Sequence, residues 1–351
     1  MDDDAERRAW DAVAEWYHAF FTGIVLSTVT RRGPADAAEL VFRIFRRQQQ
    51  QLFLPGLRKL GIEGLPPAVA SAQYHYLSNA LGGVSVEYMP ETDRKAWVRY
   101  APPRWIWHGT AICAVPGVVN RAMLRGWHAH NGVALGNLRL GFVCTGQTVE
   151  GQPGLEGYYQ EHDHDLAPED RLRFARHEGA PDFDLGLAPV LPTTDWPAAR
   201  RRKARRNYAI AFVRTAIPEA IQLFGPHEAA HLLGLTGRLI GMQLYAETAA
   251  ALGGFASGAE GFAAFMVALA TAQGDAAGAE GPVVRQTTWQ VMRAVADGHP
   301  AAFTAWNGLL EGALSAHDRH LELNVTSRLD LGDPEFVWRI RRRRSVRQIE
   351  R

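Results

Sequence analysis

Hydrophobic residues recur along the chain with two different spacings, and each spacing predicts one kind of element. Within residues 225–253 they follow the helical period of about 3.6 residues and form an apolar stripe on one face. That stripe consists of Leu232, Leu235, Leu239 and Met242. In residues 138–144 and 321–325 apolar and polar side chains alternate, which predicts strands with one buried face. Short Gly/Pro turns follow both alternating segments and favour antiparallel pairing.

The helical pattern occurs twice in the chain. Residues 33–61 align with residues 225–253 without a gap, at an offset of 192, and 10 of the 29 aligned positions are identical. Both segments begin with Gly-Pro, which suits a helix start, and both end with glycine, which suits a helix C-cap. A weaker match at an offset of 181 relates residues 140–153 to residues 321–334. The sequence therefore predicts an internal duplication of a unit that contains helices and antiparallel strands.

The duplication predicts an α+β fold with two tandem copies, each made of helices packed on one face of a small antiparallel sheet. We assign residues 1–165 to the first repeat unit, 166–206 to a linker and 207–351 to the second repeat unit. The linker is rich in proline and ends in a run of arginine and lysine residues. No aromatic residues interleave this basic run, so we expect a solvated surface there and not a nucleic-acid site.

Composition and charge narrow the class of protein. Of 351 residues, 47% are hydrophobic and 10% are aromatic, which is enough apolar side chain for two packed cores. The formal net charge of +1 provides no overall field that would attract nucleic acid or an anionic membrane. The acidic N-terminal sequence does not resemble a secretory signal, and no apolar run approaches the roughly 20 residues that span a bilayer. We expect a cytoplasmic globular protein without nucleic-acid or membrane partners.

The most specific motif is an HExxH sequence at the start of the second long helix. His227 and His231 are four residues apart and would share one helix face, where two imidazoles can bind one Zn²⁺. Glu228 between them could act as a general base toward a metal-bound water. The expected cofactor of such a site is Zn²⁺ or another divalent metal. The chain contains no sequence pattern of a phosphate-binding loop, so no nucleotide cofactor is expected.

The duplication also supports a second interpretation of this motif. The first copy has Ala35, Asp36 and Glu39 at the equivalent positions, and the helix dipole alone favours an acid near a helix N-terminus. The two histidines would then be hydrogen-bonded residues of a packed helix. No third zinc ligand follows at the metzincin spacing. Arg238 and Tyr245 lie along the edge of the apolar stripe, and Arg238 is a candidate substrate-binding residue if this face lines a pocket.

A second group of candidate residues ends a predicted strand of the first copy. The segment YYQEHDHDL at 158–166 contains His162 and Asp163, which could act as a carboxylate–imidazole pair in acid–base catalysis. Tyr159 in the same segment is a candidate substrate-binding residue. The equivalent stretch of the second copy, VWRIRRRR, has no histidine or carboxylate. Duplication followed by divergence would leave the site in one copy only.

Two shorter segments of the first copy add imidazole and aromatic groups. The segment WHAHN at 127–131 supplies His128 as a candidate catalytic residue and Trp127 and His130 as candidate substrate-binding residues. The sequence Tyr-His-Tyr at 74–76 adds a further histidine between two aromatic residues. Whether these histidines meet His162 in space does not follow from their positions in the sequence.

Parts of the second copy resemble a known family. The resemblance rests on the Gly-Pro-His-Glu-Ala-Ala opening of the long helix, on its glycines Gly234, Gly237 and Gly241, and on the late antiparallel strands. This pattern resembles bacterial L-2-amino-thiazoline-4-carboxylic acid hydrolase-like proteins and is similar to vinyl-reductase-type small-molecule-binding domains. The resemblance covers one unit at a time and assigns no catalytic residue. It implies either a ring-opening hydrolase for a small molecule or a small-ligand binder.

These features favour an enzyme of hydrolase or lyase type that acts on a small organic molecule. Imidazole and carboxylate groups would provide acid–base catalysis, with metal assistance at the HExxH motif. The alternative is a non-catalytic protein that binds a small ligand or a partner protein. The expected partner is a small-molecule substrate, and a homodimer is one candidate assembly.

Overall fold

The structure is a computed structural model and describes residues 3–104, 106, 108–296 and 298–343. The helices in this part of the chain are α1 (Asp3–Arg32), α2 (Pro34–Leu60), α3 (Pro67–Leu81), α4 (Gly117–Gly126), α5 (Asn131–Ala134), α6 (Ala198–Phe224), α7 (Pro226–Ala251), α8 (Ala259–Gln273) and α9 (Ala301–His317). The strands are β1 (Val86–Thr92), β2 (Lys95–Tyr100), β3 (Leu140–Gly146), β4 (Leu155–Glu161), β5 (Leu172–Phe174), β6 (Ala277–Glu280), β7 (Val283–Gln286), β8 (Leu321–Ser327) and β9 (Phe336–Arg342). None of the described helices has a stretch long and apolar enough to cross a membrane.

The order of the elements confirms the predicted α+β fold with two copies of one unit. Three helices, a hairpin, a fourth helix and a second pair of strands follow one another from α1 to β4 and again from α6 to β9, with the short α5 as an addition in the first copy. Proline occupies the first turn of both α2 and α7, at Pro34 and Pro226, where its missing N–H costs nothing. Gly33 and Gly225 precede them with φ of 98° and 81°, a backbone conformation that favours glycine. The sequence pattern therefore placed both helix starts correctly.

Each copy builds its own sheet, and the two sheets share their strand order. The first is β1-β2-β4-β3-β5 and the second is β6-β7-β9-β8, with antiparallel pairing throughout except between β3 and β5. The register is also shared. Val98 lies opposite Gly157 in the first sheet, and Val284 lies opposite Trp338 in the second. Gly157 and Trp338 are 181 positions apart, which is the offset that the strand sequences share.

The compact units of the fold are assembled differently from the sequence repeat. Unit 1 contains Met1–Ile24 and Arg206–Arg351, and unit 2 contains Val25–Arg205. Within unit 1, the Tyr17 hydroxyl of α1 donates a hydrogen bond of 2.6 Å to Gln273 Oε1 of α8. The first residues of the chain therefore pack with residues of the second repeat. The predicted repeat boundaries therefore refer to the sequence duplication, whereas the compact units have different boundaries.

The segment predicted as a linker is part of unit 2 and contributes to its sheet. Its strand β5 pairs in parallel with β3, with Leu172 opposite Phe142 and Phe174 opposite Cys144. Proline-rich sequence favours a linker because proline cannot donate to a sheet, but three residues free of proline are enough to extend an edge. The end of this segment is helical, since α6 begins at Ala198.

Helix α3 positions the interior of unit 2. It packs on β1, β2 and β4, while α2 packs on α3 and α4. The buried residues of α3 include Ser71 and also Tyr74 and His75, which follow Ser71 by three and four positions and so lie on the same side of the helix. The rings of His75 and Tyr159 are 5.8 Å apart, so this face of α3 meets β4. Polar side chains are therefore buried where an apolar interface is expected.

Candidate functional site

A buried group of polar and aromatic side chains lies between α3 and the sheet of unit 2. We call it the imidazole cluster and define it as His75, Tyr100, His128, Asn131 and Tyr159. Helix α3 supplies His75, β2 and β4 supply the tyrosines, the turn after α4 supplies His128, and α5 begins with Asn131. The relative exposure of these side chains ranges from 0% to 5%. Buried polar groups need hydrogen-bond partners, so their connections define what the cluster can do.

The two histidines stack on each other and share one phenol. The ring centroids of His75 and His128 are 4.2 Å apart, and the ring planes are inclined by 11°. The Tyr100 hydroxyl oxygen lies 2.8 Å from His75 Nδ1 and 3.2 Å from His128 Nε2. A hydroxyl has one proton, so it donates to only one of the two imidazoles and must accept from the other.

The direction of these hydrogen bonds is set outside the cluster, at Gln49 of α2. Arg46 Nη1 donates to Gln49 Oε1, and Gln49 Nε2 donates to the backbone carbonyl of His130 at 3.3 Å. A guanidinium can only donate and a carbonyl can only accept, so these two partners fix the orientation of the Gln49 amide. Gln49 Nε2 also donates to Asn131 Oδ1 at 3.4 Å. The Asn131 amide is therefore oriented as well.

The orientation of the Asn131 amide determines which atoms donate in the remaining hydrogen bonds, up to His128. Asn131 Nδ2 donates to the Tyr159 hydroxyl at 2.9 Å and to His75 Nε2 at 3.3 Å. A neutral His75 that accepts at Nε2 has its proton on Nδ1 and donates it to Tyr100. Tyr100 must then donate its own proton to His128 Nε2. His128 consequently has its proton on Nδ1.

This Nδ1–H group of His128 has no hydrogen-bond partner among the described residues, although the atom is buried. Two other buried atoms nearby share this property within the described part of the chain, namely Trp127 Nε1 and Ser71 Oγ. The Trp127 ring lies 5.9 Å from the ring of His75, and Ser71 is one helical turn before it on α3. The hydrogen-bonded chain therefore ends in a buried donor that is free to bind an acceptor atom of a ligand.

Burial keeps both imidazoles neutral near pH 7. It lowers the pKa of His75 from 6.5 to about 3, together with a smaller contribution from the positive charge of Arg104. Burial also lowers the pKa of His128 well below 6.5, with smaller contributions from His75 and Arg104. The pKa of the Tyr159 phenol rises well above 10, again mainly through burial. These three groups are uncharged at neutral pH and act as neutral hydrogen-bonding groups.

The second copy has no imidazole at the equivalent positions, which follow from the helix offset and from the strand registers. The equivalent pairs are His75 and Val267, Tyr100 and Gln286, and Tyr159 and Ile340. Apolar side chains thus replace one histidine and one tyrosine of the cluster. The polar groups of the first copy are therefore not required by the shared fold.

The buried polar network of unit 1 is closed, in contrast to the imidazole cluster. Tyr17 donates to Gln273 Oε1, and Gln273 Nε2 donates to Asp275 Oδ2 at 2.7 Å. The hydroxyl of Thr288 and the backbone N–H of Gln290 donate to Asp275 Oδ1 at 2.8 and 2.7 Å. Three of these donors, Gln273, Thr288 and Gln290, reach a carboxylate oxygen of Asp275, which is the strongest acceptor available. A closed network of this kind stabilises a core, whereas the Nδ1–H group of His128 has no acceptor among the described residues.

The structure brings together three of the residues that the sequence indicated. His128 and Tyr159 belong to the imidazole cluster, and Trp127 lies beside it. His130 is adjacent, but its ring nitrogen Nδ1 is hydrogen-bonded to the Arg125 carbonyl at 2.9 Å. The backbone carbonyl of His130 therefore helps to orient Gln49, while its ring bonds to the Arg125 carbonyl and not to the cluster.

The proposed pair of His162 and Asp163 does not form. Asp163 makes an ion pair of 2.7 Å with Arg94, and its side chain is 90% exposed. His162 lies beside His164, with ring centroids 5.8 Å apart. Asp163 Oδ1 accepts a hydrogen bond from Arg94 Nη2, and the described residues show no hydrogen bond between Asp163 and His162. This segment is a solvated strand end, separate from the imidazole cluster.

The HExxH residues lie on an exposed part of unit 1. His227, Glu228 and His231 are all exposed at the start of α7. Arg238 lies further along this helix and forms an ion pair of 2.8 Å with Glu311. Throughout the described residues, no three His, Cys, Asp or Glu side chains are grouped as metal ligands. A metal at His227 and His231 stays a prediction.

Sequence reasoning assigned no role to four residues, of which three belong to the cluster and one orients it. They are Gln49, His75, Tyr100 and Asn131. A signal existed for the histidine, since a polar residue in an otherwise apolar helix such as α3 needs a buried partner. The asparagine stood inside the WHAHN segment but had no assigned role. Tyr100 gave no signal, because a tyrosine at a strand end is common in sheets.

Comparison with protein-family models, with curated proteins and with solved structures finds no match to this chain. The resemblance to L-2-amino-thiazoline-4-carboxylic acid hydrolase-like proteins therefore stays an expectation. The argument for function rests on the geometry of the imidazole cluster.

Proposed function

We propose that unit 2 contains the active site of an enzyme of hydrolase or lyase type that acts on a small organic molecule. The observation that carries the proposal is the open Nδ1–H group of His128 at the end of a directed hydrogen-bonded chain. There it would donate a hydrogen bond to a carbonyl or imine of the substrate and polarise the double bond. Water attacks a polarised carbonyl or imine carbon more readily, and a polarised carbonyl also acidifies the adjacent C–H bond for elimination.

The neutral state of the cluster supports this role. A neutral imidazole can stabilise developing negative charge by hydrogen bonding, and it needs no prior protonation at pH 7. The chain from Gln49 through Asn131, His75 and Tyr100 would hold the proton on Nδ1 before the substrate arrives. Donors that are positioned in advance lose no energy to reorganisation during the reaction.

The chemistry of this donor also favours a class of substrate. A buried N–H next to aromatic rings favours a small, flat molecule with an uncharged acceptor atom, since a charged group would lose its hydration there. The resemblance to L-2-amino-thiazoline-4-carboxylic acid hydrolase-like proteins supports an imine, because a thiazoline ring contains a C=N bond. One water would add at that carbon, and cleavage of the ring C–S bond, with a proton passing to the departing sulfur, would then open the ring.

Turnover of L-2-amino-thiazoline-4-carboxylic acid, together with a panel of small lactams and esters, tests the proposal. We expect the wild-type protein to hydrolyse at least one compound and His128→Gln to lose roughly 100- to 1000-fold in kcat. The glutamine amide can reach the position of Nε2 and keep the contact with Tyr100, but it provides no donor at the position of Nδ1. His128→Asn is the matched control, because its shorter amide can place an N–H near Nδ1 and should retain part of the activity.

A second control separates the imidazole cluster from the strand end. His162→Ala removes an imidazole outside the cluster and should leave kcat within about twofold of wild type. Full activity in His128→Gln together with loss of activity in His162→Ala would contradict the proposal.

Non-catalytic binding of a small ligand is the second candidate function. The low exposure of the cluster, between 0% and 5%, favours it, because tight enclosure slows the exchange of substrate and product. A compound that raises the melting temperature of the wild type but not of His128→Gln, without being converted, would support binding over catalysis.

A further inference from the structure

A second pocket lies in unit 1, where the beginning of α1 meets α6, the end of α7 and α8. Its volume is about 450 Å³, which suits a small organic ligand. Much of its wall consists of alanine, whose side chain ends at Cβ and so leaves space that larger residues would fill. These alanines are Ala5, Ala9, Ala250, Ala251, Ala268 and Ala272. Trp10 and Arg206 also line the pocket, together with the charged residues Glu6 and Arg8.

The guanidinium of Arg206 is buried but keeps unused hydrogen-bonding capacity. The side chain is 5% exposed, which is rare for arginine. Nη1 donates to the Ala272 carbonyl at 2.9 Å, and Nε and Nη2 donate to Asn207 Oδ1 at 3.2 and 3.0 Å. These bonds use three of the five N–H groups of the side chain, so two remain.

The charge of Arg206 also lacks a direct counterion in the described part of the chain. Asp275 and Glu6 raise the pKa of its guanidinium from a distance, while burial has the larger effect and lowers it. Neither acid forms an ion pair with it. Buried charges in proteins are normally paired, because removing an ion from water costs several kcal/mol. An anion that enters this pocket would provide the missing partner.

The position of Trp10 indicates what the rest of the ligand looks like. The guanidinium carbon of Arg206 lies 5.3 Å from the centroid of the Trp10 ring, so the charge and the flat apolar surface adjoin each other. A ligand with an anionic group and a flat apolar body could contact both at once. Arginine binds carboxylate and phosphate through a planar pair of N–H groups, and indole rings stack on flat molecules.

We propose that this pocket of unit 1 binds a small organic anion, with its carboxylate or phosphate on Arg206 and its flat apolar body on Trp10. The site is separate from the imidazole cluster and does not depend on the proposed catalytic role of unit 2. It is also absent from the first copy, where the residue equivalent to Arg206 is Ala14.

Calorimetric titration of the full-length protein with benzoate, benzamide and phenyl phosphate tests the proposal. Benzamide has the shape of benzoate without the charge, so it isolates the contribution of Arg206 without any substitution. We expect benzoate to bind at least about tenfold more tightly than benzamide, which corresponds to about 1.4 kcal/mol. Tighter binding of phenyl phosphate than of benzoate would identify the ligand as a phosphate ester, and the reverse order would identify it as a carboxylate.

Substitutions then locate the binding site. Arg206→Met should weaken benzoate binding at least about tenfold, and Arg206→Lys should weaken it less because the charge is kept. Trp10→Leu should weaken benzoate and benzamide equally. Arg7→Met is the matched control, since it removes a cation of α1 that is paired with Asp4 and does not line the pocket.

Three results would overturn the proposal. The first is equal affinity for benzoate and benzamide. The second is the absence of binding of all three compounds up to about 10 mM. The third is unchanged benzoate binding in a folded Arg206→Met protein. The first two results need only the wild-type protein, so they decide the question even if the variants do not fold.

Discussion

The imidazoles of His75 and His128 stack at 4.2 Å, and their hydrogen bonds to the one Tyr100 hydroxyl run in opposite directions. Tyr100 accepts from His75 and donates to His128, because Asn131 on the far side of His75 can only donate to it. Two stacked imidazolium ions would repel each other strongly in a buried site, so the arrangement requires both rings to be neutral. The hydrogen bonds of the stacked pair therefore all run in one direction and leave the Nδ1–H group of His128 as the last donor.

The tautomers of the two histidines are the first prediction. Both rings should have their proton on Nδ1 at pH 7, whereas a free histidine in water usually has it on Nε2. Long-range ¹H–¹⁵N correlation spectra of the labelled protein measure this directly, with His162 as an internal reference that lies outside the cluster. Gln49→Glu keeps the acceptor for Arg46 but cannot donate to Asn131, so it should produce a mixture of tautomers. An Nε2 proton on His128 in the wild type would contradict the directed chain.

The dependence of stability on pH is the second prediction. The pKa of His75 is about 3 in the folded protein and about 6.5 in the unfolded chain. Below pH 6.5 the unfolded chain therefore binds a proton that the folded protein excludes, so acid favours unfolding. The free energy of unfolding should be unaffected by this group above pH 7 and should fall by about 1.4 kcal/mol per pH unit between pH 6 and pH 4.

Urea denaturation at several pH values measures this loss in the wild type and in His75→Gln. Glutamine does not titrate, so the variant should have a slope that is smaller by about 1.4 kcal/mol per pH unit. His128 adds a loss of the same sign in both proteins, since its pKa is also lowered by burial. Equal slopes in the two proteins would show that His75 is not held neutral by the fold.

The fold was predictable from the duplication, because short sequence patterns mark the helix starts and the strands in both copies. Gly-Pro at the helix starts and strict alternation in the strands act over a few residues, and each signal occurs twice. The packing of the first part of α1 in unit 1, with residues of the second repeat, was not predictable in this way. Tyr17 and Gln273 are 256 positions apart, and an apolar helix face does not specify which partner covers it. The sequence therefore predicted the elements of the two copies but not how unit 1 is composed.

The candidate site was predictable only in part, for a related reason. Trp127, His128 and Tyr159 were indicated because histidine and aromatic residues concentrate in two short segments. The partners of His128 come from other segments, with Tyr100 28 positions away, and no local pattern links them. The HExxH motif was prominent because it is local, but its position in the first turn of α7 leaves its residues exposed. Buried hydrogen bonds between residues that are distant in sequence become visible only in the folded structure.

The effect of metal removal is the third prediction. His227 and His231 are exposed, and the described residues group no third ligand with them, so Zn²⁺ at this position would be held by two imidazoles. We expect a chelator to change the melting temperature by less than about 2 °C, because a two-ligand site binds metal weakly. His231→Ala should behave like the wild type in the same experiment. One zinc ion per chain, with a fall of more than about 5 °C on chelation that added zinc reverses, would contradict this expectation and restore the metal hypothesis.

The last prediction concerns Gly126, the final residue of α4, which lies two positions before His128. A Cβ atom at this position would lie 2.6 Å from the carbonyl oxygen of Phe42 and 3.0 Å from the backbone nitrogen of Arg46, both on α2. Backbone atoms cannot move aside as a flexible side chain can, so alanine here must push α4 away from α2. Gly126→Ala should lower the free energy of unfolding by about 1–3 kcal/mol.

The same displacement should reach the imidazole cluster, because Trp127 and His128 follow this helix end directly. We expect the Nδ1–H resonance of His128 to shift or broaden in Gly126→Ala and any turnover to fall with it. Gly64→Ala is the matched control in unit 2, since a Cβ atom there would have no neighbour within 4 Å. If Gly126→Ala destabilises the protein while the His128 resonance and the turnover stay unchanged, α4 serves the stability of unit 2 without positioning His128.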